Sequence, residues 1–224
     1  MDSKINSFLL KEFTIEARNR YSLLGIFLYI FSCTIVIHFI LQYNGGVQQI
    51  NSQVWSALFW MVILFSTINE VAGSFSKETN ERFYYDYYIL SPESYITGKL
   101  IRSFIVTLLL SVLAYILFTI IISNPVQNKL LFLLTLVLGA NGYGFLFTVM
   151  RAIAGRARNS SSLVALLGFP VVIPILIFIT RLSNDAIADN TFSESAIKNI
   201  LLLGSINIVL IVFAYILFPY LWRD

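Results

Sequence analysis

Charge is the scarcest property of this chain. Of its 224 residues only 12% are Asp, Glu, Lys or Arg, where a soluble domain carries roughly a quarter. No such residue lies between Arg20 and Glu70, and stretches 103–128, 130–150, 159–180 and 199–222 are equally bare. Each gap accommodates an apolar helix of about 20 residues, enough to cross a hydrocarbon layer of about 30 Å at 1.5 Å per residue. Soluble enzymes, secreted disulfide scaffolds and disordered chains are excluded together.

Cysteine and histidine are as rare. Cys33 is alone, so no disulfide framework or cysteine metal cluster can be built within the chain. His38 is the one histidine, which excludes a multi-histidine site and reads as a packing residue near the outer end of the first span. There is no G-x-x-x-x-G-K-[ST], so no P-loop cradles ATP phosphates. No nucleophile–base–acid set or closely spaced carboxylate pair suggests catalysis. The chain reads as a non-catalytic protein with no catalytic, cofactor-binding or metal-ligating residues of its own. The net charge of +3 is too small to suggest nucleic-acid binding.

What remains is hydrophobic sequence, 58% of the chain. The runs are continuous and rich in Leu and Ile, unlike the short alternating strands of a membrane barrel. They predict an all-α polytopic membrane protein with six transmembrane helices at about 22–42, 54–73, 100–123, 130–150, 163–180 and 200–219. Asn44-Gly45-Gly46, Asn124-Pro125 and Ser160-Ser161-Ser162 supply breaks between spans. With both termini in the cytoplasm, the inner segments carry Lys4, Lys11, Arg18, Arg20, Lys77, Arg82, Lys99, Arg102, Arg151, Arg156, Arg158 and Arg223. Only Lys129, Arg181 and Lys198 of the 15 basic residues then face outward, a strong positive-inside bias. Tyr21, Tyr43, Trp55, Tyr220 and Trp222 fall where interfacial aromatics belong. The first span is too long for the h-region of a signal peptide and lacks a small-residue cleavage site, so it is expected to stay attached.

Ahead of the first span, Ile5, Phe8, Leu9, Phe13 and Ile15 recur at helical spacing. They predict an amphipathic interfacial helix within residues 1–21, either an anchor in the headgroup plane or part of a docking surface. The segment 74–99 mixes charge with aromatics, from Lys77 and Glu78 through Glu81, Arg82, Phe83, Tyr84, Tyr85, Asp86, Tyr87 and Tyr88, the composition either of a protein interface or of a solvated loop whose tyrosines sit at the bilayer edge. Ser76 can cap one helix, and Ser91-Pro92-Glu93 reads as the start of another. Residues 181–199 read as a solvated outer connector with a short helix.

Three features lie within the spans. Glu70, near the inner end of the second, is either a functional acid or an interfacial carboxylate paired with a nearby Arg. Pro170 and Pro174 stand four apart in the fifth span and predict a kinked or locally unwound helix, either a packing kink or a flexible element lining a path or subunit interface. Gly139, Gly142 and Gly144 in the fourth allow close helix approach.

Taken together, several stretches resemble the haem exporter protein B family, CcmB, the permease subunit of cytochrome c maturation ABC transporters. They are Lys11-Glu12-Phe13 to Arg18, Val54-Trp55-Ser56-Ala57, Leu90-Ser91-Pro92 with Lys99, and Gly139 to Arg158. The Phe169-Pro170 to Pro174-Ile175-Leu176-Ile177-Phe178 block is the most specific. The closing Phe218 to Asp224 looks like a variant found in a subset of members. Many members carry a D-x-x-x-G-x-L-E stretch after the second span. Here Lys77-Glu78-Thr79-Asn80-Glu81-Arg82-Phe83 stands without the glycine.

The resemblance implies one ABC permease domain over residues 1–224 in the bacterial inner membrane. It implies an ATP-binding partner subunit in the cytoplasm, and a homodimer within a larger complex. A haem-handling membrane protein and a periplasmic haem chaperone are the further partners, with haem as cargo. The 74–99 segment takes the place of the loop that docks on the ATPase, with Glu78, Glu81, Arg82, Tyr85 and Asp86 as coupling residues. Two other readings share these features: an ABC exporter permease for a lipid, polysaccharide or drug, and a non-transporting membrane scaffold for the ATPase.

Overall fold

The computed structural model describes residues 7–14, 20–43, 51–75, 91–154, 160–188 and 193–223. Among them the chain is helical with no strand. A short α1 covers residues 7–14. It is followed by α2 (Arg20–Tyr43), α3 (Ser52–Phe75), α4 (Pro92–Ile121), α5 (Lys129–Ala154), α6 (Ser160–Ala188) and α7 (Glu194–Arg223). Six of these are long and apolar enough to span a membrane, so the chain is a multi-pass membrane protein of the predicted class.

The helix ends depart from the hydropathy boundaries where polar residues find partners. α4 begins at Pro92, not near residue 100. The Ser91 side chain accepts from the Ser94 amide, Pro92 occupies the first turn, and Glu93 complements the positive helix end. The predicted second helix start is therefore the start of the span itself. Residues 92–99 are helix, not loop. At the other end of the bundle α6 runs to Ala188 and α7 starts at Glu194. The connector expected over 181–199 is thus mostly the ends of two spans. The Asn124-Pro125 turn follows Ser123, whose φ of 107° lies in the half of backbone space that non-glycine residues rarely visit. Its amide closes α4 by donating to the Phe118 carbonyl at 3.1 Å.

α5 sits at the centre, with two-thirds of its span (67%) buried. Its glycines each admit a different neighbour. A Cβ on Gly139 would lie 2.4 Å from the Trp60 ring of α3, and one on Gly144 would lie 3.2 Å from the Ser103 backbone of α4. At Gly142 the neighbours are Ile175 of α6 and Asn207 of α7. With lipid as apolar as leucine, close packing and interhelical hydrogen bonds hold such bundles. Trp60 Nε1 donates to Ser183 Oγ at 2.7 Å, Ser103 Oγ to the Gly144 carbonyl at 2.9 Å, and Asn207 Nδ2 to the Leu138 carbonyl at 3.0 Å. Together these tie α3 to α6, α4 to α5 and α7 to α5.

Trp55 is not an interfacial anchor. It is 2% exposed and stacks on Phe59 with ring centres 5.3 Å apart, edge-on to Phe118 at 5.8 Å. Tyr43 and Tyr220, by contrast, are exposed and free to meet headgroups. α6 remains helical through Pro170 and Pro174, so it is not locally unwound. Pro170 faces out of the bundle and Pro174 is half-buried, while Val172 and Ile175 between and beside them fill the core.

Candidate coupling site at one end of the bundle

Three of the four buried charged side chains among the described residues are gathered in one place. Glu70 lies five residues before the end of α3, and Lys99 and Arg102 lie three apart on one face of α4. All three are buried, at 3%, 4% and 5% exposure. An Arg102 terminal nitrogen meets Glu70 Oε1 at 2.7 Å. The Arg102 Nε reaches Glu12 Oε2 of α1 at 3.5 Å, and Lys99 Nζ donates to the same oxygen at 3.2 Å. Two carboxylates and two cations thus join three helices. Charge-assisted contacts of this kind make burial tolerable, since an isolated charge in apolar surroundings neutralises or draws in water.

Aromatic rings shield the network. Lys99 Nζ stands 5.3 Å from the Tyr95 ring centre and 5.7 Å from that of Phe8, within cation–π range. Phe8 packs on Tyr95 at 5.5 Å, and Tyr95 stacks on Phe218 of α7 at 5.5 Å. Gly98 makes this docking possible, because a Cβ there would lie 2.5 Å from Phe8 Cδ1. The amphipathic segment is therefore more than a float in the headgroups: by Phe8 and Glu12 it is fastened to α4.

Glu70 is paired with Arg102. The pairing partner, Arg102, and the roles of Lys99, Glu12 and Phe8 escaped sequence reasoning, which counted the two cations only as cytoplasmic charge. A usable signal was present. Once α4 starts at Pro92, Lys99 and Arg102 fall inside an apolar helix and need acidic partners. Glu12, Glu16 and Glu70 are the acids that flank the first two spans there. Glu78, Glu81, Arg82, Tyr85 and Asp86 lie outside the described residues. Their segment leaves α3 after Phe75 and rejoins at Ser91, so both of its ends run into helices that the network holds together. Pro170 and Pro174 belong to α6 and take no part in these contacts.

A protein-family model described as CcmB protein matches residues 3–219. No curated protein and no solved structure was found to match the chain.

Proposed function

The chain belongs to the CcmB family, the membrane component of a haem-exporting ABC transporter, and from that premise we propose how it works. It is the permease subunit through which ATP hydrolysis in a cytoplasmic partner drives haem delivery, by releasing the haem-loaded periplasmic chaperone. The protein sits in the bacterial inner membrane with both termini inside, and pairs with a second copy in a complex that includes a haem-handling membrane protein. ATP binds the partner alone. The release mechanism is favoured over passage of haem through the chain because one copy, with His38 as its one histidine, offers haem iron no histidine pair.

The observation that carries this reading is the Glu12–Lys99–Arg102–Glu70 network beside the 76–90 segment. A force applied to that segment by an ATPase acts on α3 and α4 as one unit. Glu70 lies about 8 Å along α3 from Phe75, the last residue of that helix, at 1.5 Å per residue. The same network passes the displacement to α1. Reversing the charge of Glu81 or Arg82, or making Tyr85→Ala, is expected to release the ATP-binding subunit from detergent-solubilised complexes. Unchanged co-purification of that subunit with all three variants would remove the segment from the docking surface.

A further inference from the structure

At the end of the bundle away from the charge network, α6 and α7 part around an open polar cleft of about 420 Å³. That size is within the range of about 300–1,000 Å³ typical of small-ligand sites. Arg181 and Asn184 of α6 and Lys198 and Asn199 of α7 line it, with Asp185 and Leu202. Its position follows from Asn184, whose Oδ1 accepts from Ser56 Oγ in the first turn of α3 at 2.8 Å. Glu70 is at the opposite end of that helix.

The cleft's electrostatics are unbalanced. Arg181 and Lys198 are exposed, and among the described residues neither lies within ion-pair distance of a carboxylate. Asp185 instead accepts from Asn199 Nδ2 at 3.2 Å. Two cations and one carboxylate leave a local charge of +1 at the end of a spanning bundle. The helix spacing adds a second, independent constraint. Four and eight residues before Arg181 on α6 stand Ile177 and Ile173, both exposed; after Lys198 on α7 stand Leu202 and Val209, also exposed. Each cation therefore heads an outward apolar stripe on its own helix. Charge above and hydrocarbon below is the pattern of a phospholipid, and basic pockets between spanning helices are suited to lipid headgroups.

We propose that this cleft is a specific site for one phospholipid whose headgroup carries hydrogen-bond donors, phosphatidylethanolamine or phosphatidylglycerol. The phosphate bridges Arg181 and Lys198. The headgroup ammonium or hydroxyl donates to Asp185, and the acyl chains lie along Ile177 and Leu202. Phosphatidylcholine offers the same phosphate but no donor, so it satisfies the cations and not the carboxylate.

The test is native mass spectrometry of the purified membrane complex, titrated with each of the three lipids. Wild-type protein is expected to retain one phosphatidylethanolamine or phosphatidylglycerol per chain in preference to phosphatidylcholine. Arg181→Gln with Lys198→Gln should weaken that retention by on the order of tenfold or more. Asp185→Ala, which removes the acceptor, should erase the preference over phosphatidylcholine while keeping phosphate binding. Lys129→Gln, an exposed lysine at the same end outside the cleft, serves as the control and should change nothing. The substituted side chains lie on an open surface, and unchanged thermal unfolding would verify folding. Equal lipid retention by the double variant would reduce the site to annular lipid and overturn the proposal. So would equal affinity for all three lipids. Loss of a co-purifying acidic protein, with lipid retention unchanged, would assign the cleft to a protein partner instead.

Discussion

Arg102→Ala is expected to destabilise the protein by about 3–5 kcal/mol, the usual consequence of removing one member of a buried ion pair. The side chain is 5% exposed and sits 2.7 Å from Glu70 Oε1 and 3.5 Å from Glu12 Oε2. Its loss takes a close cation from both Glu70 and Glu12. Glu70→Gln should cost less, because the amide retains the volume and a hydrogen bond to Arg102 while Glu12 still offsets one of the two cations. Replacing both Glu70 and Arg102 by Met is expected to recover most of the stability, since no uncompensated charge is then created between them. Denaturant unfolding of the purified protein, followed by tryptophan fluorescence, reads all three variants. A single Arg102→Ala loss below about 1 kcal/mol, the level of an exposed pair, would show that the network does not hold the helices. The Met pair also separates structure from coupling: if the network transmits force, the variant is stable but fails in cytochrome maturation.

The second large effect is steric. Gly139→Leu on α5 would drive its side chain into Trp60, since even a Cβ would fall 2.4 Å from Cη2 and 2.6 Å from Cζ3. Trp60 cannot swing aside freely. It is fully buried, it donates to Ser183 Oγ at 2.7 Å, and it meets Tyr143 edge-on at 6.0 Å. Overpacking of this kind costs about 1–3 kcal/mol when a core can adjust, and more when it cannot. Gly139→Leu is therefore expected to reduce the membrane level of the protein several-fold. Gly139→Ala with Trp60→Phe should recover much of the loss, at the expense of the bond to Ser183. Gly204 provides the contrast. Nothing lies within 4 Å of a Cβ built there, so Gly204→Ala should be neutral or stabilise by about 0.5–1 kcal/mol through helix propensity. Equal behaviour of Gly139→Ala and Gly204→Ala in thermal unfolding would contradict the packing at α5.

Hydropathy was sufficient to find the six spans because each must hide a row of apolar side chains from water, and that requirement is written locally. It misplaced the ends where polar groups are neutralised by partners far along the chain. Lys99 and Arg102 look like residues beyond a membrane boundary until Glu12 and Glu70 are brought to them. Ser183 and Asn184 look like the start of a loop until Trp60 and Ser56 engage them. Trp55 illustrates the same limit, since its place near a span end suits both a headgroup anchor and an aromatic core. The three glycines of α5 were legible as contact points, whereas which helix each would meet depends on a fold that no local pattern encodes. The proline pair marked α6 as unusual, but Pro170 turns outward and the helix continues through it.

The central claim is that this chain serves haem delivery to c-type cytochromes using energy from a separate ATPase. The most direct measurement is haem staining of c-type cytochromes in a strain lacking the gene, complemented by the wild-type chain beside either an active or a hydrolysis-dead ATP-binding subunit. No c-type cytochromes are expected in the deletion, full recovery with the active partner, and none with the dead one. Normal c-type cytochromes in the deletion strain would contradict the claim. Full maturation with the hydrolysis-dead partner would leave the chain a scaffold, not an energy-coupled permease.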